Sequence, residues 1–201
     1  MKSLGVDIGI AGAAAVIEVV DGIDGIPPKF IDVIDIPILG TAAKTRVDAI
    51  GLHNWIETHH PDFAGVERAG SMPKQGVASA FKYGRAAGTV EAVIACCGIS
   101  MVLVEPSKWK RAFHLNSDKE ASRQLAIQLF PHAHDRLARK KDHQRAEAML
   151  LALYAPTIGA RHETHLRQRT DQTRTAQRLL RAGLHRLPAQ PRQGRLRSSR
   201  R

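Results

Sequence analysis

The chain has 201 residues, enough for one α/β domain with a buried core, and no apolar run reaches the roughly 18 residues that a membrane-crossing helix needs. The formal net charge of +11 is unevenly held: residues 157–201 carry 12 Arg, no Lys and only two acids, Glu163 and Asp171, whereas residues 1–156 carry 18 basic and 17 acidic side chains. A nucleic-acid surface on residues 1–156 therefore has to come from local clustering and not from bulk charge.

The opening, MKSLGVDIG, runs straight into a strand and lacks the layout of a signal or transit peptide. Residues 3–9 read as that strand and 12–20 as its hairpin partner, with Gly9 and Gly12 in the turn. DGIDGIPPK is a loop, and 30–38 is a third strand limited by Pro37. Residues 46–59 have near-helical apolar spacing, and 63–67 form a short strand. A glycine-rich loop, AGSMPKQG, precedes a long helix from about 77 to 97. A buried strand over 101–106 follows, then a helix over 119–130 ended by Pro131, and a last helix from about 143 to 155 ended by Pro156. The order βββαβαβαα calls for an α/β fold, a mixed five-stranded sheet with helices on both faces, which is the ribonuclease H-like order. The only cysteines, Cys96 and Cys97, are adjacent in an apolar segment. They read as buried reduced thiols, not a disulfide, in keeping with a cytoplasmic protein.

Four acids carry the chemical signal: Asp7, Glu67, Asp142 and Glu147. A carboxylate at the end of a core strand is costly to bury alone, and a hard divalent cation is one reason to keep it. Asp7 in GVDIG fits three roles: a metal ligand, the phosphate-loop aspartate of an actin-like kinase or ATPase, or a strand-end acceptor of turn hydrogen bonds. Ala11 stands where the ATPase pattern favours Thr or Ser. Glu67 ends FAGVE, either as a solvated strand end or as a ligand. The loop after it bears Lys74, which can meet a phosphate. Asp142 and Glu147 are five positions apart, about 140° around a helix, so Asp142 suits the helix start, from which it can converge with Glu147. His143 shares a face with Glu147 and is either solvent-facing or a proton shuttle beside the acids. The remaining histidines lack the partners of a zinc site. Lys108, Lys110 and Arg111 flank Trp109. They either track a phosphate backbone or are solvated around a core tryptophan.

Taken together, GVDIG, GVERAGSMPKQGVASAFKYGRAAGTVEAV, VEPSKWKRAF, DKEASRQLAIQLFP and KKDHQRAEAMLLALY resemble the RuvC-type Holliday junction resolvases over residues 1–156. The closest likeness is to the bacterial, phage and chloroplast branch that ends in D-x-x-x-x-E. The resemblance implies a homodimer that cuts four-way junction DNA, with two Mg2+ ions, replaceable by Mn2+, per site. It implies that Asp7, Glu67, Asp142 and Glu147 hold the metals and that Lys110 and Lys119 lie near the scissile phosphates. Lys119, by neutralising charge on the phosphate, and His143, by its helical spacing from Glu147, are the residues expected to assist catalysis. Arg68, Met72, Lys74, Gln75, Lys82, Arg85, Lys108 and Lys110 are the expected DNA contacts. The expected products carry a 5′-phosphate and a 3′-hydroxyl, and neither a nucleotide cofactor nor a membrane partner is implied. A bacterial or phage protein associated with the nucleoid is the expected setting.

Two features depart from the family pattern. The aromatic wedge that follows the strand glutamate is missing, since no aromatic occurs between Glu67 and Phe81, and Met72 is the alternative. Position 144 is Gln where the family places an acid three residues before the last one, so the pairing has to use Asp142. A junction-binding protein with weak or lost catalysis is the second reading, and an actin-like ATPase the third. Residues 157–201 read as a separate Arg-rich tail, either a basic arm or the product of a shifted reading frame.

Overall fold

Strand β1 (Lys2–Asp7) pairs antiparallel with β2 (Ala13–Glu18), which pairs antiparallel with β3 (Lys29–Asp35). In this computed structural model, which describes residues 1–19, 27–70 and 76–159, everything described belongs to one unit, Met1–Ala160. After the β3 meander comes a small ribbon, β4 (Ile38–Leu39) with β5 (Arg46–Val47). Helix α1 (Ala49–His59) then returns the chain to β6 (Phe63–Glu67), parallel to β1. Helix α2 (Val77–Cys96) leads to β7 (Ser100–Val104), parallel to β6. The sheet order is β3-β2-β1-β6-β7, the mixed five-stranded arrangement expected from the sequence. Three helices close the unit: α3 (Pro106–Ala112), α4 (Lys119–Leu129) and α5, residues 143–159.

Strand alternation assigns each side chain to a face. Leu4, Val6, Ala64 and Val66 pack under α1 and α2 with Leu52, Ile56, Val90 and Ile94. The other parity, Ser3, Gly5 and Asp7 on β1 with Phe63, Gly65 and Glu67 on β6, faces α5. Gly5 and Gly65 are cross-strand partners. A Cβ on Gly5 would run into the backbone at Ala148 and Ala152, and one on Gly65 into the Ala155 methyl. The two glycines form a floor on which α5 lies in backbone contact.

Several elements differ from the sequence reading, each for a local reason. Helix α1 starts three residues late because Asp48 caps it, accepting from Gly51 N at 3.1 Å, while Arg46 and Val47 pair with β4. The short helix α3, opened by Pro106 at its first turn, was not expected. Helix α5 does not stop at Pro156. That proline lacks an N–H and leaves Ala152 O without its helical donor, and Ser3 Oγ donates to Ala152 O at 2.7 Å instead. The boundary expected at 156 thus falls inside α5. The Arg-rich segment, from residue 160 onward, lies outside the described residues, as does the loop 71–75. The cysteines are not core thiols: Cys96 is exposed and Cys97 part-buried, both free.

Candidate metal centre

Asp7 ends β1 and Glu67 ends β6, so adjacent parallel strands deliver two carboxylates to one edge of the sheet on the side that α5 covers. Glu147 stands one turn into α5 and completes the group. Carboxylate oxygens of Asp7, Glu67 and Glu147 all lie within 4.8 Å of one another. Two buried side chains fix their orientation. Trp109 Nε1 donates to Glu67 Oε2 at 3.1 Å, and Ser122 Oγ donates to Glu147 Oε1 at 3.3 Å. Lys110 Nζ bridges to Glu147 Oε1 at 3.0 Å and sits 5.1 Å from the centre of the Trp109 ring.

The electrostatics describe an anionic pocket short of positive charge. Burial, then Glu67 and Glu147, hold the Asp7 carboxyl well above its usual range, and Lys110 and Lys119 offset this only in part. Burial raises Glu67 as well; the Trp109 hydrogen bond opposes this and Glu147 adds to it. The Tyr83 phenol is pushed up by burial and then by Glu67 and Asp7.

The acids open into a cleft of about 280 Å3 lined by Asp7, Gly9, Gly12, Lys119, His143 and Glu147. His143 Nδ1 lies 3.2 Å from Lys140 O, and a carbonyl can only accept, so Nδ1 carries the proton. In the neutral ring Nε2 then keeps a lone pair, and this buried atom has no hydrogen-bond partner among the described residues.

Of the four expected acids, three form the group and Asp142 stands apart from it, held by other partners. It sits in the 3-10 turn Lys140–Asp142 before α5 with only 3% of its surface exposed. Its carboxylate accepts from Arg139 N at 2.8 Å and from Arg139 Nη2 at 2.7 Å, with Arg145 Nη1 at 3.9 Å. Burial opposes ionisation there, but the Arg139 bonds outweigh it and hold the carboxyl below its usual range. Asp142 is the capping residue of its own turn and is already neutralised.

The expected DNA contacts divide. Lys119, at the first position of α4, and Lys108 are exposed. Lys110 lies between the acid cluster and a second groove of about 550 Å3, where Ser107, Arg111, His114 and Asn116 also stand. Arg68 pairs with Glu105 at 2.9 Å. Lys82 and Arg85 are on α2, and Arg85 donates to Thr45 O at 3.2 Å beside α1, on the other side of the sheet from α5. Met72, Lys74 and Gln75 lie outside the described residues. Trp109 is fully buried, so it cannot stack on a base. The sequence reading missed Trp109 and Ser122 as the groups that orient the acids. Their signal was weak: a tryptophan among cations, and one serine in an amphipathic helix.

No protein-family model and no curated protein matches the sequence. Solved structures do match. Thermus thermophilus RuvC in complex with a Holliday junction substrate superposes with a TM-score of 0.55 at 20% identity, over 76% of this chain and 90% of that one. Thermus thermophilus RuvC in a second structure gives 0.50 at 19% identity, over 76% and 98%. The fowlpox virus Holliday junction resolvase gives 0.52 at 14% identity, over 77% and 96%. The likeness defines the fold as the ribonuclease H-like arrangement of these resolvases.

Proposed function

We propose that the chain is a structure-selective endonuclease that resolves four-way DNA junctions by metal-dependent phosphodiester hydrolysis. The observation that carries this is the convergence of Asp7, Glu67 and Glu147, in a fold whose solved relatives are junction resolvases. The donor set fits a hard divalent cation. It is made of carboxylate oxygens, Asp7 and Glu67 are raised by burial and then by their acidic neighbours, and an unsatisfied imidazole nitrogen lies at its edge. In this reading Asp7, Glu67 and Glu147 hold Mg2+, with Mn2+ able to substitute, and His143 Nε2 takes the place the sequence gave to Asp142. Bound Mg2+ supplies an activated water and stabilises the leaving 3′ oxygen, giving a 5′-phosphate and a 3′-hydroxyl.

The chain's own groups do the rest. Trp109 and Ser122 hold two of the carboxylates in fixed rotamers, so the cluster is preorganised. His143, if not a ligand, is placed to accept a proton at Nε2. Lys119, exposed on the cleft wall, neutralises charge growing on the phosphate oxygens. Lys110 releases Glu147 and turns to a backbone phosphate in the adjoining groove. A four-way junction has two equivalent strands to cut, and a homodimer with dyad-related sites cuts both.

The test is incubation with a labelled four-way junction and Mg2+, beside duplex, fork and single-strand controls. Paired symmetric nicks that need Mg2+ and vanish in Asp7→Asn support the proposal. Tight junction binding with no cutting in either divalent ion gives the second reading, a junction-binding protein. The salt bridge of Lys110 with Glu147 is the one observation that favours it, since it occupies an acid the metals need.

A further inference from the structure

On the opposite side of the sheet a second group of side chains has a different chemistry. His53 and Glu57 lie four positions apart on α1, so they project from one face. That face meets the end of α2, where Cys97 caps the helix. A ring nitrogen of His53, a carboxylate oxygen of Glu57 and Cys97 Sγ all lie within 4.8 Å of one another.

We propose that His53, Glu57 and Cys97 form a second metal site that takes a borderline-soft divalent cation of the Zn2+ class. A hard ion such as Mg2+ takes oxygens, whereas one imidazole, one thiolate and one carboxylate make a donor set for Zn2+. Tetrahedral Zn2+ with bonds of about 2.0–2.3 Å sets its ligands roughly 3.3–3.8 Å apart, so the three donors close on it by side-chain rotation of about an ångström. Three protein ligands leave a fourth position, and Glu57, which is exposed, leaves it open to water. His53 also lines an apolar groove of about 730 Å3 between α1 and α2, with Ala49, Ile50, Ala92 and Cys96. One wall of the site is therefore apolar, and an apolar shell lowers the local dielectric around a bound cation. When sulfur binds the cation, the thiol proton leaves to solvent, one H+ per cation. The bound ion ties α1 to the end of α2, the two helices that cover this face of the sheet.

The test is titration of the full chain with Co2+, read by thiolate-to-cobalt charge-transfer absorption in the near ultraviolet. Carboxylates and imidazoles do not give that band, so neither the Asp7 cluster nor histidines elsewhere can mimic it. The expected result is a band whose intensity corresponds to one thiolate-bound Co2+ per chain, abolished by Zn2+ and not by excess Mg2+. The band persists in Cys96→Ser and in Glu147→Gln and is lost in Cys97→Ser. In His53→Gln the Co2+ affinity falls more than about 10-fold, at least what the loss of a group that merely orients a ligand costs. Absence of the band in the intact chain overturns the site. So does its survival in Cys97→Ser, or its loss in Cys96→Ser or Glu147→Gln. Should Cys97→Ser fail to fold, an unchanged Co2+ affinity in His53→Gln overturns it alone.

Discussion

The two faces of the sheet are covered by different means. Under α1 and α2 the contact is made by long side chains, Leu52, Ile56, Val90 and Ile94 against Leu4, Val6 and Val66. Under α5 it is made by backbone, with Gly5 and Gly65 as the floor and alanines at 148, 152 and 155 as the ceiling. Side-chain packing tolerates some sliding, because rotamers adjust, and it leaves an open groove between α1 and α2. Backbone contact does not slide. Glu147 projects from the helix that is held this way, toward acids on the same two strands that supply the floor. A metal cluster needs its oxygens fixed to within about half an ångström, and the glycine floor fixes the helix that carries Glu147 against the strands that carry Asp7 and Glu67.

The largest test of that contrast is chemical. Asp7→Asn, Glu67→Gln and Glu147→Gln should each lower junction cutting more than about 100-fold, beyond the 10–100-fold that losing an orienting group costs, while binding persists. Asp142→Asn should keep cutting within a few-fold and instead lose about 1–2 kcal/mol of stability, since it caps a turn and meets Arg139. Thr89→Ala, on the α1–α2 side, should leave cutting unchanged. Rates on a labelled junction with urea melts check all five, and an Asp142→Asn protein as dead as Glu147→Gln would return Asp142 to the metal site.

Next in size, the floor can be filled. Gly5→Ala puts a methyl into backbone that cannot move aside and should cost about 3 kcal/mol, the upper end for overpacking. Gly88→Ala, on the open side of α2 with nothing within 4 Å of its added carbon, should gain about 0.5–1 kcal/mol from helix propensity. Equal effects in urea unfolding would remove the distinction between the faces.

A smaller effect belongs to the orienting groups. Trp109→Phe keeps most of the buried volume and removes the donor to Glu67; it should weaken the Mg2+ dependence of cutting about 10-fold, the low end for such partners. Ser122→Ala should do less, because its bond to Glu147 is longer. Half-saturating Mg2+ for each variant reads this directly.

The mildest test uses pH. Asp7 and Glu67 are held above the usual carboxylate range by burial and crowding. Their stabilising contribution without metal is therefore full below the unfolded value of about 4 and is lost as pH rises through the raised folded value. Asp142 is held low and has the opposite sign: its contribution is present above the unfolded value and is lost as pH falls through the folded one. Metal-free Asp7→Asn should then have a higher urea midpoint than wild type at neutral pH, and that advantage should vanish toward pH 4. Mg2+ should raise the midpoint of wild type and not that of the variant. An advantage that grows on acidification would contradict the crowded-acid account.

The sequence alone determined the order of the five sheet strands and of four of the helices, the mixed sheet, and three acids that do meet, because alternation and periodicity are local and each acid ends a strand or lies in the first turns of a helix. GVDIG and FAGVE even give the parity that turns Asp7 and Glu67 to one face. What the sequence could not decide was partnership across the fold. Asp142 reads as well as Glu147 until Arg139 and Arg145 are seen to neutralise it. Pro156 reads as a helix stop until Ser3, 153 residues earlier, satisfies the carbonyl it leaves bare. Cys97 reads as a core thiol until α1 brings His53 and Glu57 beside it. Each of these outcomes depends on which groups a polar side chain or carbonyl meets: for Asp142 they are arginines three residues away on either side, whose side-chain directions the turn decides, and for Pro156 and Cys97 they come from distant parts of the chain that only the tertiary structure places in contact.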